Sequence, residues 1–159
     1  MKNSLASKSV LLHLKGMNNV HKLIYFISQT HIRSAIAEAW AKKLPLVNFT
    51  FISGSWRKTA VTNLAKKALH EYAMEPPTHI SFVPNRELLI NADLIVTIYD
   101  SEYEIAPNFP EDLQDKVIYW DIDDPERRQE LLNKWVSYQE VCDDIALSVK
   151  NLEFDLMDA

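Results

Sequence analysis

The sequence predicts an α/β protein, a small doubly wound domain in which helices cover both faces of a four-stranded parallel sheet. Two observations predict it. The strand-like runs are continuously apolar rather than alternating, so both of their faces must be buried. Amphipathic helical stretches separate them, which is the strand–helix alternation of parallel sheets. The chain has 159 residues, 47% hydrophobic and 25% charged, enough to bury a single core and no more than one domain needs. Ligands of such sheets bind at the carboxyl ends of the strands.

The elements follow in order. Residues 22–26 (KLIYF) form the first strand and 34–43 (SAIAEAWAKK) a helix. Residues 46–53 (LVNFTFIS), introduced by Pro45, are rich in β-branched and aromatic side chains and form the second strand. In 61–74 (VTNLAKKALHEYAM), Leu64, Ala65, Ala68, Leu69 and Tyr72 share one helical face, and Pro76 with Pro77 stops the helix. Residues 84–92 open with proline at a position helices tolerate. Residues 93–98 (DLIVTI) and 116–122 (KVIYWDI) form the last two strands. Across 131–152, Leu131, Trp135, Tyr138, Cys142, Ile145 and Val149 recur at three- and four-residue intervals, predicting a long amphipathic helix. No internal repeat or low-complexity tract is present. Residues 1–20, polar apart from VLLHL, read as an appendage (a mobile tail or a short surface helix), 21–154 as the domain, and 155–159 as a tail.

Composition narrows the function. A formal net charge of −5 and a pI near 5.5 argue against nucleic acid or an anionic membrane as partner, because phosphate backbones are held by clustered Lys and Arg. The run 10–14 is interrupted by His13 and is too short for a membrane span or a signal-peptide core, so the expected location is the cytoplasm. One cysteine, Cys142, excludes an intramolecular disulfide and a cysteine-built metal site. Its place on the apolar face of the last helix marks it as a packing thiol. With two glycines, Gly16 and Gly54, the chain has no glycine-rich nucleotide loop. No cofactor and no metal are expected.

The segment 27–34 (ISQTHIRS) joins the first strand to the first helix, where backbone N–H groups converge on an anion. Ser28, Gln29, Thr30, His31, Ile32, Arg33 and Ser34 are therefore the candidate anion-binding residues. Arg33 offers a planar fork suited to a tetrahedral anion, or to a salt bridge with a nearby carboxylate. Ser34 is a good helix N-cap. His31 invites a nucleophile or base reading, but a lone exposed histidine is more often neither.

The stretch YFISQTHIRSAIAEAWAKK, 25–43, resembles the signature of low-molecular-weight protein tyrosine phosphatases, and more closely that of the related thioredoxin-coupled arsenate reductases. That signature is an apolar strand, a cysteine, five residues, Arg-Ser and a helix. ISGS at 52–55, NADLIVTI at 91–98 and YWDIDDPERRQE at 119–130 continue the resemblance in the family's order, over roughly residues 22–152. It implies the same α/β fold and a site built from Ser28, Arg33 and Asp124. The family's catalytic cysteine is absent: five residues back from Arg33 lies Ile27, whereas the strand end aligns Ser28. A serine hydroxyl is a poor substitute for a thiolate without an adjoining base. The strand-anchored loop is also one residue short and lacks the family's glycine, which puts its N–H cradle in doubt.

By the same resemblance, Arg33 is the oxyanion clamp, Ser34 the serine that hydrogen-bonds the nucleophile, and Asp124 the general acid. Asp123 and Asp124 are equally turn and capping residues for the helix at Pro125. The reductase branch relays a disulfide through two further cysteines, whose places within 96–107 are taken by Tyr99 and Ala106. Trp56, Tyr99, Tyr103 and Trp120 could wall a phosphotyrosine pocket, or simply pack. The expectation is a degenerate, inactive relative that binds a small oxyanion such as phosphate or sulfate, a phosphorylated ligand, or a protein partner. A weak phosphatase using Ser28 or His31 is the alternative.

Overall fold

The computed structural model describes residues 21–157, so residues 1–20, expected as an appendage, lie outside the described part. Strands β1 (Lys22–Ser28), β2 (Phe49–Ser55), β3 (Leu94–Tyr99) and β4 (Val117–Asp121) form one parallel sheet in the order β2-β1-β3-β4. Helices α1 (Arg33–Ala41), α2 (Asn63–Glu71), α3 (Arg86–Asn91) and α4 (Leu131–Met157) connect and cover it. This is the expected doubly wound α/β architecture.

The alternation of side chains along β1 explains why its sequence is apolar from Leu23 to Ile27. Ile24 and Phe26 enter a core with α1, α2 and α4, which includes Ile36, Leu69, Tyr138, Ile145 and Leu152. Tyr25 and Ile27 point to the other face, where Leu89, Ile95, Phe109 and Leu113 form a smaller core. A strand covered on both faces has no wet side, so hydrophobic burial selects apolar residues at every position. At the carboxyl edge, Ser28 pairs with Ser55, Ile27 with Thr97, and Tyr99 with Asp121, which sets the rim of the sheet.

Local chemistry shifts the helix ends. The Thr62 side chain accepts the Ala65 N–H and starts α2 after the two threonine and valine positions expected to belong to it. Helix α3 begins at Arg86 rather than at Pro84, with the Asn85 side chain capping it by accepting the Leu88 N–H. Helix α4 runs through Met157, and Leu156 is buried, so the packed unit continues past the boundary expected at residue 154. Beyond α2, Ala73 takes the left-handed φ of 57° that glycine usually supplies, and the Met74 N–H returns to the Leu69 carbonyl. Gly54 is required by proximity: a Cβ there would come within 2.6 Å of the Phe82 carbonyl.

Candidate functional site

The loop that leaves β1 is held by its own protein. The Trp56 and Arg57 N–H groups donate to the Ser28 and Gln29 carbonyls, each at 3.0 Å, and the His31 N–H donates to Thr59 Oγ1 at 2.8 Å. The Ile32 N–H turns back to the Thr30 carbonyl at 2.8 Å, and the Ser34 N–H donates to Ser28 Oγ at 3.0 Å. Three N–H groups that an anion cradle would aim at its ligand are thus committed internally.

Ser28 is fully buried. Its single proton goes to the Thr30 carbonyl at 2.6 Å, an atom that can only accept, which leaves the 2.9 Å contact with Ser34 Oγ to the Ser34 proton. Ser34 was expected at the N-cap. Helix α1 instead begins at Arg33 after Ile32, which has no capping side chain, and the Ser28 hydroxyl serves the first turn by accepting the Ser34 N–H. The pairing of Ser28 with Ser34 is the one the family resemblance implied.

Arg33 is fully buried and both terminal nitrogens of its fork are engaged. Nη1 and Nη2 each donate to one oxygen of Glu104 at 2.8 Å, and Nη1 also reaches the Ile122 carbonyl at 3.0 Å. The salt-bridge reading of Arg33 therefore holds in this conformation. Among the buried atoms of the loop without a hydrogen-bond partner are Arg33 Nε and Thr30 Oγ1. The cleft between Gln29, Tyr99, Glu104 and Ile105 measures about 10 Å³, room for roughly one water molecule.

His31 departs from expectation, because it is wholly buried rather than exposed. Its Nε2 lies 2.7 Å from Ser53 Oγ, whose proton goes to Glu38 Oε1 at 2.7 Å. Ser53 can then only accept from the ring, which assigns the proton to Nε2 and leaves Nδ1 as a buried acceptor without a partner. Glu38 in turn is bound by Lys42 at 2.6 Å. Burial pushes the His31 pKa down to about 4, helped by the ring of His79 stacked at 5.4 Å. His31 is thus a neutral packing residue tied to Ser53, and it is no base for Ser28.

Asp124 is a capping residue. It precedes the 3₁₀ turn Pro125–Arg127, its Oδ1 accepts the Glu126 N–H at 2.9 Å, and its own N–H leans on Asp100 Oδ2 at 3.3 Å. The aromatic wall is largely packing. Trp120 packs at a tilt against Phe26 and Trp56 against Phe109, each with ring centres 5.8 Å apart, and Tyr99 meets Tyr119 edge-on at 6.0 Å. Only Tyr103 is well exposed among them, with the Arg127 guanidinium 3.9 Å from its ring centre. Cys142 is buried in α4, and burial with the nearby Asp143 and Glu71 raises its pKa to about 12. Among the described residues no group of three His, Cys, Asp or Glu could hold a metal, and no helix is long and apolar enough to cross a membrane.

Sequence reasoning missed Glu104 and the Glu38–Ser53 pair. Glu104 lies 71 positions from Arg33, and nothing but its being acidic, in the loop after β3, marks it in advance.

Comparison with known proteins settles the ancestry. The chain is 30% identical to an arsenate reductase of Bacillus cereus (strain AH187) over 130 residues, 81% of this chain and 92% of that one. It is also 30% identical to the arsenate reductase of Bacillus subtilis (strain 168) over 132 residues, 82% and 94% of the two chains. The chain belongs to the arsenate reductase family. No family model matches it. Among solved structures, this family member superposes on an arsenate reductase in the phosphate binding state with a TM-score of 0.70 at 18% identity, over 85% of this chain and 98% of the other. The YwlE arginine phosphatase of Geobacillus stearothermophilus gives 0.69 at 18% identity, over 86% and 93%. These two likenesses are of fold.

Proposed function

We propose that this family member neither reduces arsenate nor hydrolyses phosphate esters, and that it acts by binding a small oxyanion or a phosphorylated ligand at the loop between β1 and α1. One observation carries the proposal: the loop keeps Arg33 while Ser28 stands where the attacking thiol is required. Reduction and phosphoryl transfer in this layout need a thiolate. The chain's one cysteine, Cys142, is buried on α4 and held protonated. The Ser28 proton is bound to a carbonyl, and the nearest histidine in sequence is paired with Ser53. Retention of a buried arginine at a helix N-terminus supports anion binding, since charge-assisted hydrogen bonds are strongest there. A relative in fold is described in a phosphate binding state, which fits that ligand class.

A phosphatase reading with Ser28 as acceptor has one observation in its favour, the Ser28–Ser34 hydroxyl contact at 2.9 Å. A cysteine-to-serine mutant of the YwlE arginine phosphatase, similar in fold at a TM-score of 0.65, is described with a phosphorylated active site serine. The closed Arg33 fork weighs against turnover here, as does the Ser28 hydroxyl's partner set, which among the described residues holds the Thr30 carbonyl, the Ser34 hydroxyl and the Ser34 N–H and no base.

The test is direct. Purified protein should turn over aryl phosphate, and arsenate with thioredoxin and its reductase, no faster than buffer. Inorganic phosphate should shift the amides of residues 28–34 with a millimolar dissociation constant, about 4 kcal/mol of binding, and Arg33→Ala should abolish the shift. Turnover that disappears in Ser28→Ala would overturn the reading.

A further inference from the structure

We infer that Glu104 is a ligand in cis for the oxyanion site: its carboxylate occupies the Arg33 fork in the free protein, and an external oxyanion binds by exchanging with it. The inference rests on the reading above that the loop binds an oxyanion, and deepens it by naming the residue that regulates access.

The geometry is that of a bound anion. Two parallel bonds of 2.8 Å from Nη1 and Nη2 to the two oxygens of one carboxylate form the bidentate arrangement by which arginine recognises carboxylates and phosphates alike. Glu104 also accepts the Asp100 N–H at 2.6 Å, so a backbone amide and a guanidinium converge on the same carboxylate. Arg33 is fully buried whereas the Glu104 side chain is 16% exposed, so the carboxylate enters the site from the solvent side.

The site has unused donor capacity. Arg33 Nε and Thr30 Oγ1 are buried without partners, a cost that an anion with more than two oxygens could relieve and a carboxylate has not. The loop carrying Glu104 can also be released. Tyr103 and Ile105, its neighbours, are 62% and 95% exposed, so the departing side chain drags little apolar surface into water. What holds the loop is polar: Asp100 against Arg127 at 3.5 Å, Ser101 on Asp121 at 2.6 Å, and Arg127 over the Tyr103 ring. If the open form is populated at about 1–10%, the affinity for an external anion is reduced by that fraction, about 10- to 100-fold.

Inorganic phosphate is the probe, titrated by amide NMR and calorimetry into the wild type, Glu104→Gln and Glu104→Ala. Gln keeps the volume and one acceptor, guarding against loss of fold in the alanine variant. Both variants, or Gln alone if Ala does not fold, should bind at least tenfold more tightly, and adding Arg33→Met should abolish the gain. In the wild type, saturating phosphate should also move the Asp100 amide, because its acceptor leaves. Equal, Arg33-dependent affinities with an unmoved Asp100 amide would overturn the exchange and leave the binding reading standing. No binding by any of the proteins would overturn both.

Discussion

Replacing His31 with glutamine should remove most of a specific acid sensitivity from this fold. The ring is fully buried, its Nε2–H is given to Ser53, and its Nδ1 faces no acceptor, so a second proton has nowhere favourable to go. The folded-state pKa is lowered to about 4 from an ordinary 6.5, first by burial and then by the His79 ring. The unfolded chain therefore binds more protons between those values, and stability falls as pH drops through that window. The full difference is about 3 kcal/mol, of which about 2 kcal/mol is lost between pH 7 and pH 5. With a urea slope of about 2 kcal/mol per molar, the wild-type midpoint should fall by about 1 M more than that of His31→Gln over the same interval. The rest of the sequence is common to both proteins, so the difference between their midpoint shifts isolates the substitution. Urea titrations at pH 7 and pH 5 provide the measurement. Parallel shifts in the two proteins would mean that His31 takes up its proton as freely in the folded state as in the unfolded chain, which would refute the tautomer and burial argument.

Three further outcomes follow from the same geometry. Ser28→Cys alone should not create aryl phosphatase activity, because the His31, Ile32 and Ser34 N–H groups are committed within the loop and a missing transition-state donor costs about 3 kcal/mol; hydrolysis sensitive to iodoacetamide would contradict this. Cys142, whose pKa is raised to about 12, should react with iodoacetamide at pH 8 only on unfolding, followed by mass spectrometry with and without denaturant. Ala73→Gly should stabilise the protein by about 1 kcal/mol, since the left-handed backbone at φ 57° strains alanine and not glycine; an unchanged or lowered melting temperature would count against it.

The sequence by itself determined the order of strands and helices, the burial of both sheet faces and the absence of a cysteine from the loop 27–34. These are local or compositional facts. Runs such as LIVTI need no knowledge of their neighbours to show that both faces are dry, and a missing cysteine is missing in any fold. The resemblance to the family followed from four short motifs in order. Tertiary structure alone decided what the site residues do. Arg33 could have faced solvent, a ligand or a carboxylate, and only folding brings Glu104 to it from 71 positions away. His31 looked like an exposed residue because it lies in a connecting loop; its contacts with Ser53 of β2 and with His79 come from segments distant in sequence. The exchange of Ser34 for Ser28 as the group serving the first turn of α1 has the same origin, since capping is set by where the strand ends in space. Hydrophobic periodicity is written residue by residue along the chain, whereas the pairing of buried polar groups is settled by which segments meet, and that is a property of the whole packed molecule.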